Sequence, residues 1–123
     1  MEERRGFVRL PARLDVTYAV LPSGLVQRTR SKDLSGGGLR LLMEQPLPAG
    51  STLQLAVVLP DREPPVNLIG EVVWSEESHL IGRSDRTRAV EVGVRAAEIA
   101  PGDRLAIEVF VAETLRFGAQ AET

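Results

Sequence analysis

The chain has 123 residues, an apolar fraction of 43% and a charged fraction of 26%, the composition of one ordinary globular domain. It contains no cysteine, so its sequence offers neither a disulfide framework nor a thiolate metal site. No apolar run approaches the roughly 18 residues needed to span a bilayer, and the charged N-terminus lacks a signal-peptide apolar region. These features predict a cytoplasmic domain without membrane insertion.

The net charge of −2 is distributed unevenly along the chain. Residues 1–40 hold eight Lys and Arg against four Asp and Glu, and the remainder holds seven against thirteen. Almost all of the basic residues are arginine, which biased base composition of the gene would also produce. Positive charge confined to one end suits a small anion better than a polymer. A barrel that binds single-stranded nucleic acid would need more than five aromatic residues and a pI above 5.5.

Most of the chain shows the alternation of apolar and polar residues that is typical of strands. The first such segment, 12–20, places Leu14, Val16 and Tyr18 on one face. Turn residues separate it from further strand segments at 25–34, 38–44, 52–60, 66–77 and 89–97. Gly70 predicts a bulge where the sheet bends. Short strands at this spacing predict an all-β fold, either an antiparallel barrel or a sandwich.

The pattern changes to a helical one near the C-terminus. Pro101 and Asp103 fit a helix start, and Gly118 fits its end. The β-branched run 107–111 would also suit a strand. The apolar stripe expected for the helix consists of Leu105, Val109 and Ala112. We therefore expect one domain over residues 1–118 and a frayed tail over 119–123.

The residues required for catalysis are scarce. His79 is the only histidine and is expected in a polar loop, which argues against a histidine–carboxylate metal site. No nucleophile-elbow pattern surrounds Ser35, and the glycines after it lack the lysine and Ser/Thr of a Walker loop. Adjacent carboxylates such as Glu76 and Glu77 would point to opposite faces of a strand. We expect no catalytic residues, no metal and no enzymatic activity.

The N-terminal leader, residues 1–11, concentrates arginine. Arg5 and Arg9 are four residues apart, so their guanidinium groups lie on one face in either a helix or an extended segment. A guanidinium matches phosphate oxygens bidentately, and it matches the Hoogsteen edge of guanine equally well. A solvated basic tail is the alternative. The leader has little apolar content, so we expect it to be flexible.

A second segment, DLSGGG at 33–38, combines an acceptor with glycines. Asp33 and Ser35 are two residues apart at the end of a strand, so both side chains face the same way. An ionised aspartate suits the N–H groups of a guanine Watson–Crick edge, and serine both donates and accepts. The glycines 36–38 allow positive φ and close approach of a ligand to the backbone. A tight turn between strands would use the same residues.

The two segments together resemble the signature of the PilZ domain family. Arg5-Gly-Phe-Val-Arg9 matches its RxxxR motif, and Asp33-Leu-Ser35-Gly-Gly-Gly38 matches its [D/N]xSxxG motif. The stretches GEVVW (70–74) and VGV (92–94) are similar to the family's later strands. Nearly the whole chain takes part in this resemblance. One departure is Arg95 with Ala96, where family members often place an aromatic residue.

The resemblance implies a six-stranded antiparallel β-barrel with a C-terminal α-helix, and a receptor for the bacterial second messenger cyclic di-GMP. Its implied ligand-binding residues here are Arg5, Arg9, Asp33, Ser35 and Gly38. Arg4, directly before the first motif, resembles members that take up two stacked ligands. Trp74 is expected in the barrel core or wall, where its ring could flank the ligand.

We expect an adaptor that uses no cofactor. Binding of cyclic di-GMP would order the leader across the barrel mouth, and a downstream partner protein would read the new surface. The main alternative is a PilZ-fold interaction module that acts without ligand.

Overall fold

A computed structural model describes residues 7–22, 24–60, 62–79 and 88–121. Within these ranges the chain forms seven strands followed by one helix. The strands are β1 (Leu10–Pro11), β2 (Asp15–Val20), β3 (Gln27–Ser35), β4 (Gly38–Met43), β5 (Thr52–Val57), β6 (Val66–His79) and β7 (Arg88–Ile99). The helix, α1, spans Pro101–Ala121.

Six of these strands close into an antiparallel barrel. The order is β3-β2-β5-β6-β7-β4, and β4 pairs back onto β3. The predicted six-stranded barrel with a C-terminal helix is therefore confirmed. A short extra strand, β1, was not predicted: it pairs with the end of β3, where Leu10 lies opposite Leu34 and Pro11 opposite Asp33. This pairing attaches the end of the leader to the barrel.

The barrel interior is filled by aliphatic side chains. Strand β5 is representative, because Leu53, Leu55 and Val57 are buried while the residues between them face outward. Inward residues of the other strands join them in one cluster that contains Val16, Leu34, Leu39, Leu41, Val66, Leu68, Val72, Val90, Val92 and Val94. This packed core leaves the outer surface of the barrel as the place where polar side chains can gather.

Irregularities in register decide which side chains reach that outer surface. In β3, Ser31 pairs with Leu41 but Asp33 pairs with Arg40, so Lys32 is an extra residue. In β6, Val72 pairs with Val94 but Trp74 pairs with Gly93. An extra residue in one strand reverses the inside–outside alternation beyond it. A third shift lies between Ile69 and Gly70, so the irregularity predicted at Gly70 is present, but the extra residue is Ala97 of the neighbouring strand β7.

Helix α1 packs on the barrel through a different face from the predicted one. Ile107 and Val111 are buried, whereas Leu105 is 59% exposed and Val109 is also exposed. The predicted stripe of Leu105, Val109 and Ala112 was wrong because its spacing marks an apolar face without showing which face meets the barrel. Among the described residues, no helix is both long enough and apolar enough to cross a bilayer.

Two predicted boundaries also shift. The helix passes Gly118 and runs to Ala121, because a glycine inside a helix costs only about 1 kcal/mol. His79 was predicted in a loop, but its backbone ends strand β6, because the pairing of β6 with β7 extends to His79 and Arg88.

The corrected helix face leads to a stability prediction. Replacing Ile107 by Ala leaves a cavity under the helix, so we expect the free energy of unfolding to fall by about 2–5 kcal/mol in urea titrations. The matched control is Leu105→Ala on the same helix, which is expected to change it by about 0.5 kcal/mol or less because the side chain is mostly in water. Equal losses in the two variants would contradict this docking face.

Candidate ligand-binding site

The site is built on a row of residues that crosses four neighbouring strands. Asp33 on β3 lies opposite Arg40 on β4, Arg40 lies opposite Gly93 on β7, and Gly93 lies opposite Trp74 on β6. Residues that lie directly opposite each other in a sheet share one face. This row is on the outer face, because the neighbouring row of Leu34, Leu39, Val94 and Val72 is buried in the core. The extra residues in β3 and β6 bring both ends of the row outward.

Asp33 is the most buried charge of the site, with its side chain 2% exposed. Its Oδ1 accepts a hydrogen bond from Arg9 Nη1 at 2.6 Å and one from the backbone N–H of Arg40 at 3.2 Å. Its Oδ2 accepts from Arg40 Nε at 2.5 Å. A buried carboxylate is tolerated only when it is paired in this way. Two guanidinium groups from different elements therefore converge on a single carboxylate.

A second carboxylate extends this network around the barrel. Glu91 on β7 accepts from Arg40 Nη1 at 3.4 Å and forms an ion pair with Lys32. Arg40 thus bridges Asp33 and Glu91, which restrains its long side chain on the outer face. Lys32, the extra residue of β3, contributes both the change of register and one end of the ion-pair network.

The turn between β3 and β4 is held by the serine of the second motif. Gly37 donates its backbone N–H to Ser35 Oγ at 3.2 Å, and Ser35 Oγ lies 3.3 Å from the carbonyl oxygen of Gly38. Gly38 has φ of +156°, and a Cβ there would collide with the carbonyl oxygen of Val94. A side chain at Gly38 would therefore separate β4 from β7.

Phe7, from the leader, packs on this turn. A Cβ added to Gly36 would lie 2.7 Å from Phe7 Cδ1, and one added to Gly37 would lie 2.8 Å from Cδ2. The glycines at these two positions therefore make room for the aromatic ring. On helix α1, the guanidinium carbon of Arg104 lies over the same ring, 5.1 Å from its centroid, which is cation–π distance.

Trp74 packs against Gly93 on the neighbouring strand. A Cβ at Gly93 would overlap the indole ring, so the glycine lets the ring lie close to the sheet. The side chain is 37% exposed, so Trp74 belongs to the barrel wall and not to its core. The ring forms one side of the site.

These groups surround a cavity of about 830 Å³ on the outside of the barrel. This size lies within the range of about 300–1,000 Å³ that is typical of small-molecule sites. Its lining includes the side chains of Arg9, Arg40, Arg95 and Arg104 but no Asp or Glu among the described residues. Arg95, which departs from the family pattern, is held by an ion pair with Glu71. The cavity of this acidic chain therefore presents guanidinium groups to a ligand.

The predicted site residues are brought together only in part. Arg9 and Ser35 line the cavity, Asp33 lies beneath Arg9 and Arg40, and Gly38 shapes the turn. Arg4 and Arg5 lie outside the described residues. No group of three or more His, Cys, Asp or Glu in the described part of the chain could hold a metal ion.

Sequence reasoning missed Arg40, Arg104 and the role of Phe7. Arg40 stands two residues after the glycines, and Phe7 stands inside the RxxxR motif, so both positions were visible. Their contacts depend on the register of β4 and on the docking of helix α1. Neither is encoded in a local pattern.

Solved structures resemble this one closely in fold. The PilZ domain of YcgR from Escherichia coli, solved with c-di-GMP, matches with a TM-score of 0.74 and 19% identity over 98% of both chains. The MrkH–c-di-GMP complex from K. pneumonia gives a TM-score of 0.75 and 18% identity over 100% of this chain and 57% of that one. MotI/DgrA, an inhibitor of motility from Bacillus subtilis, gives a TM-score of 0.66 and 24% identity over 93% of this chain and 52% of that one.

This chain thus spans nearly all of the isolated YcgR domain but little more than half of the two longer proteins. A search of curated protein sequences gave no significant match. The sequence profile of the PilZ domain matches residues 3–113, which is most of the chain and includes both motifs. With a closed six-stranded barrel, a C-terminal helix and this match, the chain belongs to the PilZ domain family.

Proposed function

We propose that this protein is a receptor for cyclic di-GMP and a binding module without enzymatic activity. The observation that carries the proposal is the cavity, which the described residues line with four arginines, no carboxylate and a tryptophan ring as one wall. Two structural neighbours, the YcgR domain and MrkH, were solved with c-di-GMP. A cyclic dinucleotide offers phosphates and guanine edges, the two groups that guanidinium donors match best.

Arg9 is proposed to change partners when the ligand binds. Its side chain is half exposed and forms an ion pair with Asp33, while Arg40 provides that carboxylate with two further hydrogen-bond donors. Moving Arg9 onto a phosphate or guanine would therefore leave Asp33 paired. The vacated Oδ1 could then accept an N–H of a guanine Watson–Crick edge. In this mechanism Asp33 positions Arg9 first and contacts the base afterwards.

The rest of the proposed site follows the two motifs. Arg5 is expected to join Arg9 in holding the ligand, and Arg4 would serve a second stacked molecule. Ser35 and Gly38 form the turn that supports the base. Ligand binding would order the leader across the cavity, and a partner protein would read the resulting surface. Phe7, Arg9 and Leu10 support this proposal, because they attach the end of the leader at the edge of the cavity.

The alternative is an interaction module that acts without ligand. Exposed apolar side chains on the second half of helix α1, Leu115 and Phe117, favour a protein contact in either case. The intact motifs and the arginine-lined cavity favour the receptor. Titration with the dinucleotide separates the two functions.

The first test is binding of cyclic di-GMP to the purified protein. We expect saturable heat in isothermal titration calorimetry, which also gives the stoichiometry. Trp74 is the only tryptophan and lines the cavity, so its fluorescence should change with the same saturation curve. A flat titration by both methods would contradict the receptor and favour the interaction module.

Arg9→Ala is expected to abolish saturable binding, because it removes the proposed phosphate and guanine donor. The melting temperature should change little, since the Arg9 side chain is half exposed and Arg40 still supplies the buried Asp33 with two donors. The matched control is Arg30→Ala, an exposed arginine on β3 that is not among the cavity-lining residues. Unaltered affinity in Arg9→Ala would refute the assignment of this residue.

Gly37→Ala tests the seat of Phe7. The added methyl group would displace the ring and, with it, the segment that carries Arg9, so affinity for the dinucleotide should fall by about tenfold. Folding should survive because the group that must move is a side chain. Gly102→Ala is the control, since nothing lies within 4 Å of a Cβ there. Wild-type affinity in Gly37→Ala would mean that the position of Phe7 is irrelevant to binding.

A further inference from the structure

Arg104 differs from the other arginines of the cavity in its surroundings. Arg9 is paired with Asp33, Arg40 with Asp33 and Glu91, and Arg95 with Glu71. Within the described ranges, no carboxylate forms an ion pair with Arg104, although its side chain lines the same cavity. A partly buried cation without a counter-charge is costly, and an anionic ligand would offset that cost.

The stacking of Arg104 on Phe7 leaves its hydrogen-bonding capacity unused. The guanidinium carbon lies over the ring at 5.1 Å from its centroid, so Arg104 makes a cation–π contact with Phe7. A guanidinium carries five N–H donors, and among the described residues no hydrogen bond or ion pair engages those of Arg104. The aromatic ring thus orients the group without occupying the donors that a phosphate would require.

We propose that Arg104 is a further anion-binding residue of this site, which donates from helix α1 to a phosphate of the cyclic dinucleotide. It lies outside both sequence motifs, and the proposal rests on the receptor function argued above. The contact would link the ligand to an element that otherwise meets the barrel through Ile107 and Val111. Ligand binding would thereby tighten the first turns of the helix as well as the leader.

The same helix offers a matched control. Arg116 also lies over an aromatic ring, 5.9 Å from the centroid of Phe117, but it is exposed and is not among the residues that line the cavity. Arg104→Gln and Arg116→Gln remove the same charge and a comparable stacking contact. They differ in whether the lost guanidinium faces the proposed ligand.

The experiment is calorimetric titration of cyclic di-GMP into the wild type, Arg104→Gln, Arg104→Lys and Arg116→Gln at several salt concentrations. Loss of one charge-assisted contact should weaken binding by Arg104→Gln about tenfold to a hundredfold. Arg104→Lys should lose less because it keeps the charge. Arg116→Gln should match the wild type. Affinity should also fall less steeply with salt in Arg104→Gln, since one attraction that salt screens is gone.

Amide hydrogen exchange separates a ligand contact from a merely structural role, because only a ligand contact would make the protection of the helix depend on the ligand. Residues 104–111 should gain protection on addition of cyclic di-GMP in the wild type and not in Arg104→Gln. Wild-type affinity in Arg104→Gln, an equal loss in Arg116→Gln, or an unchanged salt dependence would each overturn the assignment. If the wild type itself does not bind cyclic di-GMP, the receptor function is refuted. If the wild type binds and Arg104→Gln binds with the same affinity, only the role of Arg104 is refuted.

Discussion

The carboxylate of Asp33 is the interaction on which the site depends. It is nearly inaccessible to water, and a charge in that position must be paired to be tolerated. The pairing comes from two directions, with Arg9 arriving from the leader and Arg40 from β4. Because two guanidinium groups share one carboxylate, either can leave and the carboxylate still has a partner. In the proposed mechanism, this pairing holds Arg9 at the cavity and still lets it move from Asp33 to a ligand.

That carboxylate lies on the outer side of the barrel, beneath Arg9 and Arg40, because of one extra residue. If Lys32 were paired regularly, Asp33 would stand two residues after Ser31 in an unbroken alternation and would point to the same side as Ser31, which is fully buried. The extra residue at Val73 does the same for Trp74, whose regular neighbour Val72 is in the core. The barrel is thus locally irregular at both ends of the row that forms the site. Bulges are commonly found beside functional sites.

The sequence predicted the barrel well because strand alternation and turn residues are local signals. It also predicted that Asp33 and Ser35 share a face, which follows from their spacing alone. It did not predict that Asp33 is bound by Arg40, since that contact depends on the pairing of two strands. The buried face of helix α1 was misjudged for the same reason: Ile107 and Leu105 are equally apolar, and only the position of the barrel distinguishes them.

Phe7 illustrates how local and distant information combine. Its place between Arg5 and Arg9 suggests nothing beyond spacing within a motif, and the glycines after Ser35 suggest nothing beyond a turn. In the structure, each accounts for the other, because the ring needs the space that Gly36 and Gly37 leave. The two motifs are therefore coupled through the packing of Phe7 on the turn as well as through the ion pair of Arg9 with Asp33, in addition to the pairing of β1 with β3.

The charge of the site favours an anionic ligand. The cavity arginines and Lys32 contribute five positive charges, and their described partners Asp33, Glu91 and Glu71 contribute three negative ones. Without those carboxylates, the positive charges gathered around the cavity would repel one another. The partners remove most of that repulsion and leave a surplus of two positive charges. A cyclic dinucleotide carries one negative charge on each of its two phosphodiesters, so it would neutralise the surplus that the folded barrel keeps.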